Sequence, residues 1–220
     1  LQIAATVGVT FGVALVREAS GLEDIAPLLT DLTDRGIIER PNPEQSGILS
    51  FSSVLLWESV HRSILGVRLS EYHRMVADAM ERLYGDGLDD KRMDLAAHCA
   101  AGGQYLRAAG HAERAGDRLR GQQMIRPALE CWEEGVWWLD HVSRPGYATR
   151  MKEAMLRLKA GEGWRLAGDP RKAEIHLQVA QDLGEGTGDV EVEARATAEL
   201  GHLYKFMGRT TLSRASYDSA

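Results

Sequence analysis

The chain has 220 residues with a formal net charge of −6, 44% hydrophobic and 26% charged residues. This is the composition of one large or two small globular domains. The negative balance argues against an extended nucleic-acid surface. The two cysteines, Cys99 and Cys131, lie far apart with no CxxC spacing. That excludes a disulfide framework and a zinc-finger signature, and it fits a reducing, cytoplasmic setting.

Leu1 to Val16 carries no charge. It is shorter than the roughly 20 apolar residues of a membrane span, is interrupted by Thr6, Gly8, Thr10 and Gly12, and has no basic segment before it. We read it as a buried helix pair, residues 1–8 and 11–19, and expect no membrane contact. A third helix is expected over 22–35, with Ile25, Leu28, Leu29 and Leu32 at helical spacing, Asp24 as N-cap and Pro27 in the first turn. Gly36 to Arg40 and Ile48 to Ser52 read as two strands joined by the turn-rich loop Pro41 to Gly47. Three helices followed by a hairpin is the order of a winged-helix domain, placed here at residues 1–66.

From Val54 onward only helical patterns are found, over about 54–65, 69–84, 90–102, 104–120, 125–140, 149–167, 170–183, 190–207 and 210 onward. The breaks carry turn chemistry: Gly85 to Gly87, Gly102-Gly103, Ser143 to Gly146 and Gly184 to Gly188. The clearest is Gly168-Asp169-Pro170, a C-terminal glycine, an N-cap aspartate and a proline in the first helical turn.

These helices repeat. Gly201 with Leu200 and Tyr204 matches part of the tetratricopeptide pattern, with Thr197 at its tryptophan position; Ser213 and Tyr217 supply its second half. One unit earlier stand Gly161, Trp164, Gly168, Ala173, Leu177 and Ala180. A weaker third unit has Gly116, Leu119, Ala128, Trp132 and Gly135. The glycines are spaced by 45 residues (161 − 116) and 40 residues (201 − 161), against about 34 in the standard repeat. A small residue on one helix lets the next approach closely, and a large one fills the adjoining groove. We therefore expect a mainly α fold: a small winged-helix domain followed, over residues 67–220, by a tetratricopeptide-like α-helical superhelix. The expected repeat-packing residues are Gly161, Trp164, Ala173, Gly201, Tyr204 and Tyr217. The chain begins without methionine and ends within an amphipathic pattern, so it reads as an excerpt of a longer protein.

Further residues resemble a known family. Leu1 to Gly8, Phe11, Leu28-Leu29 and Gly36 to Ile38 resemble the winged-helix segment of bacterial signal-transduction ATPases of the STAND type, which include the MalT-like regulators and modules attached to adenylate/guanylate cyclases and some kinases. Phe51 to Glu58, Ile64-Leu65, Arg68, His73-Arg74, Val76-Ala77 and Met80-Glu81 are similar too, as are Leu95 to His98, Gly102-Gly103, Tyr105 and Ala108 to Gly116. The resemblance implies an upstream nucleotide-binding domain, against which the winged helix would pack, and a helical arm that docks a partner or senses a ligand. The phosphate loop G-x-x-x-x-G-K-[ST] of such a domain is not in this sequence. In related ATPases a histidine after the second wing strand senses nucleotide. Ser53 stands there and cannot carry an imidazole's charge, which puts nucleotide sensing through it in doubt.

Catalytic, cofactor-binding and metal-ligating residues are not expected. The seven histidines form no HExxH or other ligand spacing. Asp89-Asp90 and Glu133-Glu134 read as solvated faces, and Gly184 to Gly188 reads as an inter-helix turn rather than a phosphate loop. The neighbours Trp137 and Trp138 point about 100° apart on a helix, so they are candidate partner-binding anchors. The expected function is that of a regulatory protein-interaction segment whose partner is another protein or a sister domain of the same chain. The rival is a DNA-binding transcription regulator using the winged helix. Its reading helix, 22–35, would carry Glu23, Asp24, Asp31 and Asp34 against Arg35, a poor surface for phosphates.

Overall fold

A computed structural model describes residues 1–41 and 47–219, without the side chains of Asp86, Tyr217, Asp218 and Ser219. The fold is mainly α. Its elements are α1 (Gln2–Val7), β1 (Thr10–Gly12), α2 (Val13–Ser20), α3 (Ala26–Asp34), β2 (Ile38–Glu39), β3 (Ile48–Phe51), α4 (Val54–Arg62), α5 (Gly66–Tyr84), α6 (Arg92–Ala101), α7 (Tyr105–Gly121), α8 (Ile125–Asp140), α9 (Tyr147–Leu166), α10 (Pro170–Thr187), α11 (Val190–Phe206) and α12 (Thr210–Ser219). A 3₁₀ segment over Gly85–Lys91 joins α5 to α6. Two compact units divide the chain, Leu1–Gln104 and Tyr105–Ala220.

In the first unit the strands form an antiparallel sheet in the order β1-β3-β2. Phe11 faces Leu49 and Ile38 faces Phe51 across the ladders. The core gathers Ala4, Ala5, Phe11, Val16, Ile25, Ile38, Leu49 and Phe51, with Trp57 packed at its edge. Trp57 Nε1 donates to the Ala5 carbonyl at 2.9 Å, tying α4 to α1. Most of the expected loop Pro41 to Gly47 lies outside the described residues.

Two differences from the sequence reading arise here. The strand β1 was not expected: three residues are too few for a period-two pattern, and their partner lies in a distant segment. The expected boundary at residue 66 falls inside this unit, because α5 packs against α1 and α2. Tyr72 donates to Gln2 Oε1 at 3.0 Å and Arg82 pairs with Glu18 at 2.6 Å across the same contact.

In the second unit six helices form three antiparallel hairpins, α7–α8, α9–α10 and α11–α12. Each helix packs on the next; α7 also touches α9, and α9 touches α11. One turn geometry closes all three. The amide of Met124 donates to the Leu119 carbonyl at 2.9 Å, Asp169 to Trp164 at 3.0 Å, and Arg209 to Tyr204 at 2.8 Å. These bonds recur at the 45- and 40-residue steps of the glycines. The turn needs a left-handed residue, supplied by Gly168 (φ 83°), Gly208 (φ 72°) and, in the first hairpin, Gln123 (φ 62°). Asp169 caps α10 by accepting from the Lys172 amide at 3.1 Å, with Pro170 following it.

Gln123 is the only non-glycine with positive φ among the described residues. A left-handed side-chain-bearing residue costs about 1–2 kcal/mol, part of which glycine returns through its greater freedom in the unfolded chain. Gln123→Gly is expected to stabilise the chain by about 0.5–1 kcal/mol. A higher midpoint of urea unfolding with an unchanged slope would be the readout.

The close approaches fall where the repeat places its glycines. A Cβ on Gly161 would lie 2.6 Å from Leu177 Cγ, and one on Gly116 would meet the buried indole of Trp132. Both partners stand 16 residues after their glycine. Gly201 is buried and its carbonyl accepts from Ser213 Oγ at 3.0 Å. The side chain of Tyr217 lies outside the described residues.

The reading of Gly184 to Gly188 as a turn is corrected. α10 continues to Thr187, and the left-handed residue is Gly188 (φ 71°). Gly184 lies inside the helix, because a Cβ there would come within 2.8 Å of the Glu193 amide nitrogen on α11. Its small size serves helix crossing rather than chain reversal.

Candidate protein-interaction surface

Helices α7, α9 and α11 carry a ladder of ion pairs. Glu113 on α7 accepts from Lys152 and, at 2.7 Å, from Lys159 on α9; Lys159 also reaches Asp117 at 2.6 Å. One turn further, Glu162 on α9 accepts from Arg120 of α7 at 2.8 Å and from Arg195 of α11 at 2.8 Å. Its side chain is 7% exposed, while those of Arg120 and Arg195 are 40% and 44% exposed. Arg165 on α9 continues the row to Glu199 on α11 at 2.7 Å. A single buried carboxylate thus ties three successive hairpins together.

Burial raises the pKa of the Glu113 carboxyl, but hydrogen bonds and charges from Lys152 and Lys159 outweigh it and hold the group below its ordinary value. A depressed carboxylate adds stability above its unfolded pKa, and that stability is lost as pH falls through the folded pKa. Acid unfolding should therefore begin below about pH 4.5, and Glu113→Gln is expected to flatten that acid limb. Stability measured at pH 3–6 checks this.

The two adjacent tryptophans separate. Trp138 is 4% exposed and packed inside, whereas Trp137 is 55% exposed. The Trp137 ring lies against His141, with centroids 4.3 Å apart, and His141 in turn faces Tyr105 at 5.9 Å. His141 Nδ1 sits 2.8 Å from the Trp137 carbonyl, which can only accept, so that nitrogen carries the proton. Trp137 is thereby a held, outward-facing aromatic of the kind that anchors interfaces; Trp138 is core.

Trp164 is half-buried. Its Nε1 donates to Glu133 at 2.7 Å and Lys172 Nζ lies 3.9 Å over its ring. Glu133, read from sequence as a solvated acid, therefore has a defined acceptor role, with His176 Nε2 at 3.6 Å. Ala173 is fully buried. Tyr204 is nearly so, with its hydroxyl 3.2 Å from Gln178 Nε2 as acceptor. Phe206, 82% exposed, edges a cavity of ≈ 460 Å³ lined also by Arg165, Pro170, Glu199, His202 and Leu203. Phe206 falls in the last turn of a regular amphipathic helix, so no residue pattern marks it out.

In the first unit, Ser53 is the N-cap of α4. Its Oγ accepts from the Leu55 and Leu56 amides at 3.1 and 3.4 Å. A hydroxyl occupied in this way is a helix cap. α3 has no buried residue and leaves Leu28 56% exposed beside the acids Asp31 and Asp34. Asp24 Oδ1 accepts from the Ala26 amide at 2.8 Å, so it caps α3 from one residue before the formal N-cap position, Ile25. The apolar side chains Leu55, Leu65 and Val67 are exposed as well. Among the described residues no group of three or more His, Cys, Asp or Glu side chains is arranged to hold a metal ion, and no helix is long and apolar enough to cross a membrane. Cys99 and Cys131 are both buried.

The chain matches no protein family model, no curated protein and no solved structure.

Proposed function

We propose that this chain is a regulatory protein-interaction segment of a STAND-type signal-transduction ATPase, built as a winged-helix domain followed by a tetratricopeptide-like superhelical arm. In this reading the arm binds a protein partner or effector, and the winged-helix domain relays that binding to a nucleotide-binding domain of the same polypeptide. The segment itself carries no catalysis and no cofactor, and it works in the cytoplasm.

The observation that carries the reading is the recurrence of one hairpin turn at Leu119–Met124, Trp164–Asp169 and Tyr204–Arg209. Recurring hairpins whose first helices touch one another are the building principle of repeat arms, which present long surfaces to partners. Support for the first unit comes from three helices interleaved with a small antiparallel sheet, and from the exposed acidic and apolar character of α3, which suits a protein neighbour better than phosphates.

The test sets the purified chain against the polypeptide that precedes it in its parent and, in parallel, against duplex DNA at low salt. Binding of the protein segment with no DNA shift is the expected result. A salt-dependent DNA shift without protein binding would replace this reading by that of a transcription regulator.

A further inference from the structure

We propose that His73 on α5 and His98 on α6 form a two-nitrogen site for a divalent transition-metal ion of the zinc type, clipping the two helices together. Their Nδ1 atoms lie 2.9 Å apart, with ring centroids at 5.1 Å and ring planes inclined by 41°. In the ion-free state one ring donates its Nδ1 proton to the other's Nδ1. Two imidazoles on a tetrahedral ion with bonds of about 2.0–2.1 Å would have nitrogens about 3.3 Å apart and ring centres about 5 Å apart. The rings already have that separation. A modest rotation about each Cβ–Cγ bond turns the Nδ1 lone pairs from facing one another to converging on one point.

The displaced Nδ1 proton is retaken by the same ring at Nε2, so entry of the ion is a tautomer change without net proton release. Both side chains are half-buried, which leaves a path for a hydrated ion. Asp94, one turn before His98 on α6, contributes a negative charge felt at His98. Arg74, beside His73, is turned away onto the Gly102 carbonyl at 2.6 Å. No third protein donor completes the set among the described residues, so water fills the remaining positions and the ion exchanges freely. Neighbouring side chains give no sequence motif for this pair, because its members are 25 residues apart on different helices.

The test titrates Zn²⁺ alone into the intact chain at neutral pH, by calorimetry and by ¹⁵N spectra of the histidine rings. Saturable one-to-one binding that shifts the Nδ1 signals of His73 and His98 is expected. His73→Asn and His98→Asn should each weaken it at least tenfold while keeping the other five histidines as background. Ring spectra of the unaltered chain decide the matter even if a variant folds poorly. Absence of saturable binding, binding that both variants retain, or shifts confined to other histidines would leave a shared hydrogen bond and overturn the proposal.

Discussion

Gly161→Ala is expected to destabilise the chain by about 2 kcal/mol, although alanine is the better helix former. Inside a helix the exchange should gain about 0.5–1 kcal/mol. At Gly161 the new Cβ would stand 2.6 Å from Leu177 Cγ, 2.7 Å from its Cδ2 and 3.3 Å from its backbone nitrogen. Leu177 is fully buried against Ala154, Leu158 and Leu200, so it has no free space to enter. Either Leu177 leaves its rotamer or α10 moves off α9, and overpacking of this kind costs about 1–3 kcal/mol, occasionally more. Gly110→Ala is the matched control. It lies inside α7 with nothing within 4 Å of its Cβ position, and it should stabilise by about 0.5–1 kcal/mol. Opposite signs at the two glycines would show that the first answers to hairpin packing. Equal stabilisation would show that α9 and α10 do not approach as described. Adding Leu177→Ala to Gly161→Ala should cost less than the sum of the single changes, because the clash is removed with its partner.

The second large effect concerns Glu162. Removing both Arg120 and Arg195 leaves a carboxylate that is 7% exposed without either cation. Stripping the partners from a buried charge costs about 3–5 kcal/mol. Each single Arg→Ala change should cost only about 1 kcal/mol, since the other arginine still serves the carboxylate. The cycle is therefore expected to be non-additive by at least about 1 kcal/mol. Glu162→Met should be milder than the double change, because both arginines reach water when released. Additive single costs would mean that Glu162 does not couple the hairpins.

The sequence carried most of the helical architecture because its signals there are local. Gly168-Asp169-Pro170 dictates a turn and cap without help from the rest of the chain, and the structure has both. Trp137 and Trp138 divided as their angular separation required. What escaped depends on distant partners. β1 exists only through β3, and Gly184 is explained only by the backbone of α11 crossing it. Glu162 finds its arginines 42 and 33 residues away, and no spacing rule within a helix announces such a pair. Composition marked Gly184 as a loop residue because glycine serves turns and close helix crossings alike, and only tertiary packing separates the two.

The central claim is the proposed docking of the first unit, through the exposed apolar and acidic face of α3, on an upstream domain of the parent polypeptide. Calorimetric titration of the chain with that upstream segment, comparing the unaltered chain with Leu28→Ser, tests this most directly. The account predicts binding that weakens by tenfold or more in the variant, about 1.4 kcal/mol or above, with unfolding little changed because Leu28 is 56% exposed. Equal binding by the two, or binding that follows duplex DNA instead of protein, would contradict it.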